Sequence, residues 1–239
     1  MSEEKIVSGN DLEEDGELTL FEGQPFSGIC CNYSANEQKD HETHYRDGKR
    51  EGSDIEWYIK GQKSHGYYKD GKEDGVWTKW YKDGEKQSRK FYKNGKLNGN
   101  HTEWYEDGQK KYKRHYKDGK EDGLWTGWYK SGKKRSERNW KEDGVSTCWY
   151  ENRQKKSEVH CKDGKEHGLW ISWYENGKKE REGNLKDGEF DGLWINWYEN
   201  GKKKVEKHYK DGKEDGLWTE WDEDGKKTFQ GNFVNGNEQ

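Results

Sequence analysis

The chain has 239 residues with 45 basic and 49 acidic side chains, a formal net charge of −4; 39% are charged, 26% are hydrophobic, and aromatics account for 15% of the chain. Aliphatic residues are thus too scarce for a doubly wound sheet or a helical bundle cored by Leu, Ile and Val, while 14 Trp and 15 Tyr are far too many rings for a disordered chain. No stretch of about 18 apolar residues occurs, and no basic segment followed by an apolar run opens the chain, so a soluble, cytoplasmic protein is expected.

Residues 1–17 carry Glu3, Glu4, Asp11, Glu13, Glu14, Asp15 and Glu17 against Lys5. This charge density predicts a disordered acidic tail, followed by a single repeat array over 18–239. Four cysteines, Cys30, Cys31, Cys148 and Cys161, have neither metal-site spacing nor the density of a disulfide scaffold, and reduced thiols are expected.

From about Gly28 to Gly236 one pattern recurs: Gly-x-Trp-Thr-x-Trp-Tyr-x-(Asn/Asp)-Gly-x-Lys-Lys, then Tyr-Lys-Asp-Gly-Lys-x-Asp-Gly. Its second aromatic reads Tyr33, Trp57, Trp80, Trp104, Trp128, Trp149, Trp173, Trp197 and Trp221, nine units at steps of 24, 23, 24, 24, 21, 24, 24 and 24 residues. The 21-residue step arises where Trp140-Lys141-Glu142-Asp143-Gly144 replaces a longer connection. Of the 31 Gly, 20 follow Asp or Asn, dipeptides that favour the positive φ angles of tight turns. Two turn signals per unit leave two strands, and strands joined by short turns run antiparallel. The predicted fold is all-β: an elongated, twisted antiparallel meander of about nine 24-residue hairpins, on the order of 85 Å long at roughly 4.8 Å per strand.

His41-Glu42-Thr43-His44 looks like a zinc-protease motif only superficially. Those sites need His at i and i+4 on a helix, whereas residues three apart in a strand point to opposite faces. Strand alternation also sorts the aromatic columns. The first-Trp column reads Cys30, Asp54, Trp77, His101, Trp125, Ser146, Trp170, Trp194 and Trp218, so four units abandon Trp. The second is aromatic throughout and accompanied by a largely β-branched column including Ile55, Thr78, Thr102, Thr126, Thr147, Ile171, Ile195 and Thr219. The second-Trp face is therefore expected to carry most of the packing and the first-Trp face to be a solvated binding face. The candidate partner-binding residues are Trp77, Trp125, Trp170, Trp194 and Trp218, with Tyr174 and Tyr198 assigned to the same face by alternation. The alternative for these rings is that they only shield the sheet from water.

In the second strands, Tyr45, Tyr68, Tyr92, Tyr116, Trp140, Cys161, Leu185, Tyr209 and Phe233 form a column. Two residues earlier come small or basic residues such as Gly66, Lys90, Arg114, Arg138, Gly183 and Lys207, where Gly makes room for a ring and Lys or Arg can lie over one. A polar column, His115, Asn139, His160, Asn184, His208 and Asn232, invites a metal reading. Equivalent residues lie two strands apart, ~9.5 Å, too far to share an ion. His160 and Cys161 point to opposite faces, which argues against a nucleophile pair. Basic residues after the first turn, such as Lys178-Lys179 and Lys202-Lys203-Lys204, and acidic ones at the opposite turn, such as Asp118, Glu121 and Asp122, predict one basic and one acidic margin. Edge protection and solubility explain such margins equally well.

Units such as Gly-Leu-Trp-Thr-Glu-Trp at 216–221, Trp-Tyr-Glu-Asn-Gly-Lys-Lys at 173–179 and Tyr-Lys-Asp-Gly-Lys-Glu-Asp-Gly-Leu-Trp at 116–125 resemble the MORN-repeat variant found in bacterial proteins of the YwqK antitoxin type. The resemblance covers nearly all of residues 20–239. It implies a hairpin array that binds partners, with no catalytic residues to transfer. The leading expectation is accordingly a non-enzymatic scaffold for a protein partner, with an antitoxin or immunity role as its narrower form. The alternatives are anionic lipid at the basic margin, and carbohydrate or choline on the Trp columns. No metal, small-molecule cofactor or nucleic acid is expected, since intermixed charges at net −4 lack a basic footprint.

Overall fold

The computed structural model describes residues 4–139 and 143–239. Among them the chain is strand and turn apart from one short 3-10 helix, Gly9–Asp11, and no helix is long and apolar enough to cross a membrane. Trp140 and the shortened connection around it lie outside the described residues. The contacts divide the chain into two compact units, Met1–Glu121 and Asp122–Gln239.

The first unit holds four hairpins: Gly28–Tyr33 with Lys39–Arg46, Lys49–Tyr58 with Gly61–Lys69, Gly75–Trp80 with Lys86–Lys93, and Gly99–Trp104 with Lys110–Lys117. Adjacent hairpins pair antiparallel, as at Thr43↔Asp54, Thr78↔His65 and Arg89↔Thr102. The second unit holds five: Leu124–Trp128 with Lys134–Asn139, Gly144–Trp149 with Lys155–Lys162, Lys165–Trp173 with Lys179–Lys186, Glu189–Trp197 with Lys203–Lys210, and Lys213–Trp221 with Lys227–Val234. The expected meander of nine hairpins is thus the architecture found. Its turns follow from the Asp-Gly and Asn-Gly dipeptides: at Asp211-Gly212 both residues have positive φ, 47° and 79°, the backbone of a type I′ turn. Every hairpin also carries a register shift immediately before its second aromatic, between Ser172 and Trp173 for example, a bulge that strengthens strand twist.

Residues 4–17 differ from expectation, residues 1–3 of the expected tail lying outside the described residues. From residue 4 onward this segment, read as a disordered tail, is folded against the first hairpin. Ile6–Ser8 runs parallel to Gly28–Tyr33, with Val7 opposite Cys30, and Leu12–Asp15, Leu18–Phe21 and Gln24–Pro25 form a small separate sheet. Val7, Phe26 and Cys30 are buried together with Leu12, Phe21 and Tyr45 packed around them. The acidic residues Glu13, Glu14 and Asp15 are exposed, where water screens their charge, while Leu12 packs against the buried cluster.

The assignment of faces is also corrected. In the second unit the buried cluster is Val159, Cys161, Leu185 and Trp194, with Trp170 and Tyr209 packed against it. These lie on the first-Trp side of the sheet, since Trp170 pairs with Val159 and Gly183. We call this the core face and the opposite side, which carries Trp173 and Trp197, the charged face. The core face wins because glycine and small side chains in the second strands let the rings settle: a Cβ on Gly183 would overlap Trp194, and one on Gly66 would overlap Trp77.

Both margins are laddered. At one, Tyr residues that follow the second Trp donate their hydroxyls to a carbonyl of the next repeat within the same unit: Tyr81 to Trp104 at 2.8 Å, Tyr150 to Trp173 at 2.8 Å, Tyr174 to Trp197 at 2.7 Å and Tyr198 to Trp221 at 2.9 Å. At the other, turn carboxylates accept from the next turn's backbone, Glu51 from the Asp70 N–H at 2.8 Å and Asp74 from the Asn94 N–H at 3.1 Å. The acidic margin therefore has a structural task beyond solubility: it satisfies N–H groups that a tight turn leaves over.

Candidate binding surfaces

The residues expected to bind a partner are largely occupied with each other. Trp194 is 7% exposed, stacks on Trp170 with ring centroids 5.4 Å apart, and donates its indole N–H to the Asn184 carbonyl at 3.0 Å. Trp77 lies edge-on to Tyr68 and Tyr92 and donates to the Tyr67 carbonyl at 3.2 Å. Trp218 is half-buried between Phe229 and Phe233, with the Lys207 ammonium 3.4 Å from its ring centroid and its N–H on Glu220 at 3.0 Å. Trp125 is half-buried as well. Tyr174 and Tyr198 spend their hydroxyls on the margin ladder described above. The structure thus places Trp170 and Trp194 in one stack and distributes the others along the core face and the Tyr margin.

Sequence reasoning missed the charged face. There Leu124, Val145, Leu169, Leu193 and Leu217 stand opposite Asn139, His160, Asn184, His208 and Asn232. The five aliphatic side chains are between 39% and 52% exposed, one per repeat in the same register position. The signal was present as the residue between Gly and Trp in each Gly-Leu-Trp, but attention to the rings hid it. Alongside this row, Lys155 lies over Trp173, Lys179 over Trp197 and Lys203 over Trp221, each 5.8–5.9 Å from the ring centroid. The same lysines pair with Glu158, Glu182 and Glu206. Rings on this face are thus roofed by ammonium groups, which leaves the Leu row as its apolar opening.

For chemistry the molecule offers little asymmetry. Among the described residues no three His, Cys, Asp or Glu side chains converge to hold a metal ion. The four cysteines are free, and burial pushes the Cys30 and Cys161 thiols up, away from nucleophilic character. His41 and His44 face opposite ways, the first bonded to Asp54 at 3.1 Å and the second to Glu42 at 3.3 Å. His160 is exposed while Cys161 is buried, as alternation requires.

A tandem array of hairpins of this kind is a repeat protein. The chain belongs to the MORN repeat variant family: residues 73–94, 97–118, 121–142, 166–187, 190–211 and 214–235, more than half of its length, match that family. MORN repeats are generally associated with binding or scaffolding, often with proteins or lipids, and the family is generally non-catalytic. No curated protein matches the chain significantly.

Proposed function

We propose that the chain is a non-enzymatic scaffold for a protein partner, and that the partner seats on the exposed aliphatic row of the second unit. The observation that carries this reading is the row itself: Leu124, Val145, Leu169, Leu193 and Leu217, each at least 39% exposed, at one position of five successive hairpins. Side chains at a two-strand spacing of ~9.5 Å make a regular apolar strip, and the flanking Asn and His supply hydrogen-bond partners at its rim. Covering such a strip with a partner gains what folding left unrealised, on the order of 1 kcal/mol or more per side chain. An antitoxin or immunity-type partner is the narrower form of the proposal, and a cytoplasmic setting belongs with it.

The test is chemical crosslinking in the native host, with wild type and a Leu169→Ser/Leu193→Ser/Leu217→Ser variant. One stoichiometric protein partner, captured by wild type and lost by a variant whose melting temperature is unchanged, is the expected result. A partner retained by the variant moves the site elsewhere, and co-expression with an adjacent toxin-like gene product addresses the narrower form.

A further inference from the structure

Beside the aliphatic row, the charged face carries a second row in which one second-strand residue per repeat stands opposite Thr or Ile. In the second unit it reads Glu137, Glu158, Glu182, Glu206 and Gln230, paired with Thr126, Thr147, Ile171, Ile195 and Thr219. Each Glu receives the Lys three residues before it: Lys134 at 2.6 Å, Lys155 and Lys203 at 2.5 Å, and Lys179 likewise. In the first unit the same register reads Glu42, His65, Arg89 and Lys113. Glu42 keeps its Lys, Lys39 at 2.6 Å. At Arg89 and Lys113 the carboxylate has become a cation, while Lys86 and Lys110 remain three residues earlier.

Lys86, Arg89, Lys110 and Lys113 are all exposed. Among the described residues no carboxylate pairs with Lys86, Arg89 or Lys113. Arg89, Lys110 and Lys113 line a cleft of about 460 Å³ together with Phe91, Asn100 and Trp104. Phe91 is 46% exposed. Arg89 and Lys113, two cations that no carboxylate pairs, therefore line one concavity together with an exposed ring.

We propose that this cleft binds an extended acidic peptide segment of a protein partner. Its carboxylates pair with Arg89 and Lys113, and an apolar residue between them rests on Phe91. The occupant is inferred from the face itself, where Lys39, Lys134, Lys155 and Lys203 each meet a carboxylate at 2.5–2.6 Å. Arg89 and Lys113 sit two strands apart, ~9.5 Å, and an extended peptide presents same-side residues every ~6.6 Å, so long Arg and Lys side chains reach alternate acidic residues. The basic stretch is only two repeats wide, with Glu42 back in the same row, which suits a peptide better than a bilayer surface.

The experiment is fluorescence anisotropy on the full chain with a labelled peptide alternating Glu and Leu, against its Gln-for-Glu counterpart. The acidic peptide should bind saturably, at least roughly tenfold tighter than the Gln peptide, and weaken as salt rises. Arg89→Glu/Lys113→Glu installs the Lys–Glu pairs seen in the other repeats, so it should keep the melting temperature and lose at least roughly tenfold in affinity. Arg89→Gln/Lys113→Gln provides a second variant should the first fold poorly, with the same direction of effect. Equal binding of the two peptides, or unchanged affinity in the variants, overturns the proposal. So does preferential binding of phosphatidylserine vesicles or single-stranded DNA, or complete displacement by millimolar inorganic phosphate. Each of these leaves the Leu-row scaffold untouched, because that reading is scored on different residues in the other unit.

Discussion

The first-Trp slot is filled differently in the two units. In Met1–Glu121 it holds Cys30, Asp54, Trp77 and His101; in Asp122–Gln239 it holds Trp125, Ser146, Trp170, Trp194 and Trp218. Asp54 is 5% exposed and accepts hydrogen bonds from Thr43 at 2.8 Å and from His41 at 3.1 Å. Burial pushes its carboxyl up, yet those two bonds outweigh it and hold the group below the ordinary carboxylate range. His101 is buried against Tyr112 and Tyr116, and neither ring nitrogen makes a hydrogen bond; Glu103 approaches at 3.5 Å without the alignment of one. The slot is thus a property of the backbone, and a polar occupant is tolerated when its neighbours supply bonds or when it stays neutral.

The largest effect that bears on this contrast is at the aromatic end. Trp194→Ala should cost ~3–5 kcal/mol, since it removes the ring at the centre of the second unit's core and empties the hollow over Gly183. Trp197→Ala, on the charged face, should cost clearly less in the same chemical denaturation series. Equal losses would erase the distinction between core face and charged face.

Next in size is the pH response of the first unit. Burial pushes the His101 pKa down to about 4. A group depressed in the fold contributes stability above its unfolded value, near 6.5, and loses it as pH falls toward the folded one. Between pH 6.5 and 4 the protein should lose on the order of 3 kcal/mol through this residue alone. His101→Phe should abolish that portion, measured as the difference between unfolding free energies at pH 7 and pH 4.5. An undiminished loss in the variant would show that the ring is not held neutral by burial. His41 works in the opposite sense: its bond to Asp54 raises its pKa, so its contribution is complete below about 6.5 and fades as pH rises through the folded value.

Hairpin number, antiparallel order and turn chemistry were legible in the sequence because each rests on local signals, above all the Asp-Gly and Asn-Gly dipeptides. Which face packs was not, because both faces are aromatic and the deciding feature is non-local: whether Gly183 or Gly66 lies across the ladder from a ring. The N-terminal segment was misjudged because net charge was weighed without asking which side chains a strand would turn outward. The alternation of Glu with Arg89 and Lys113 was visible residue by residue, but its meaning required the register that aligns them.

A smaller effect is expected at the Tyr margin. Tyr174→Phe removes one hydroxyl donated to the Trp197 carbonyl and should cost ~1 kcal/mol, read from the shift in denaturant midpoint. No change would mean that water replaces the hydroxyl without penalty and that the second unit's margin is held by its backbone alone.

The smallest effect concerns the charged row, and it separates the two units most sharply. Glu182→Gln removes the partner of Lys179 while leaving the side-chain shape in place. The Lys side chain is 49% exposed and the Glu 32%, so water already screens much of the attraction, and the expected cost is within ~0.5 kcal/mol. If that holds, the Glu row of the second unit and the cationic row of the first differ in what they attract rather than in how well they fold. A loss above ~1 kcal/mol would mean that the Lys–Glu pairs, with Lys179 lying over Trp197, help hold the sheet together. The first unit, lacking them at Arg89 and Lys113, would then gain measurably in melting temperature from Arg89→Glu/Lys113→Glu.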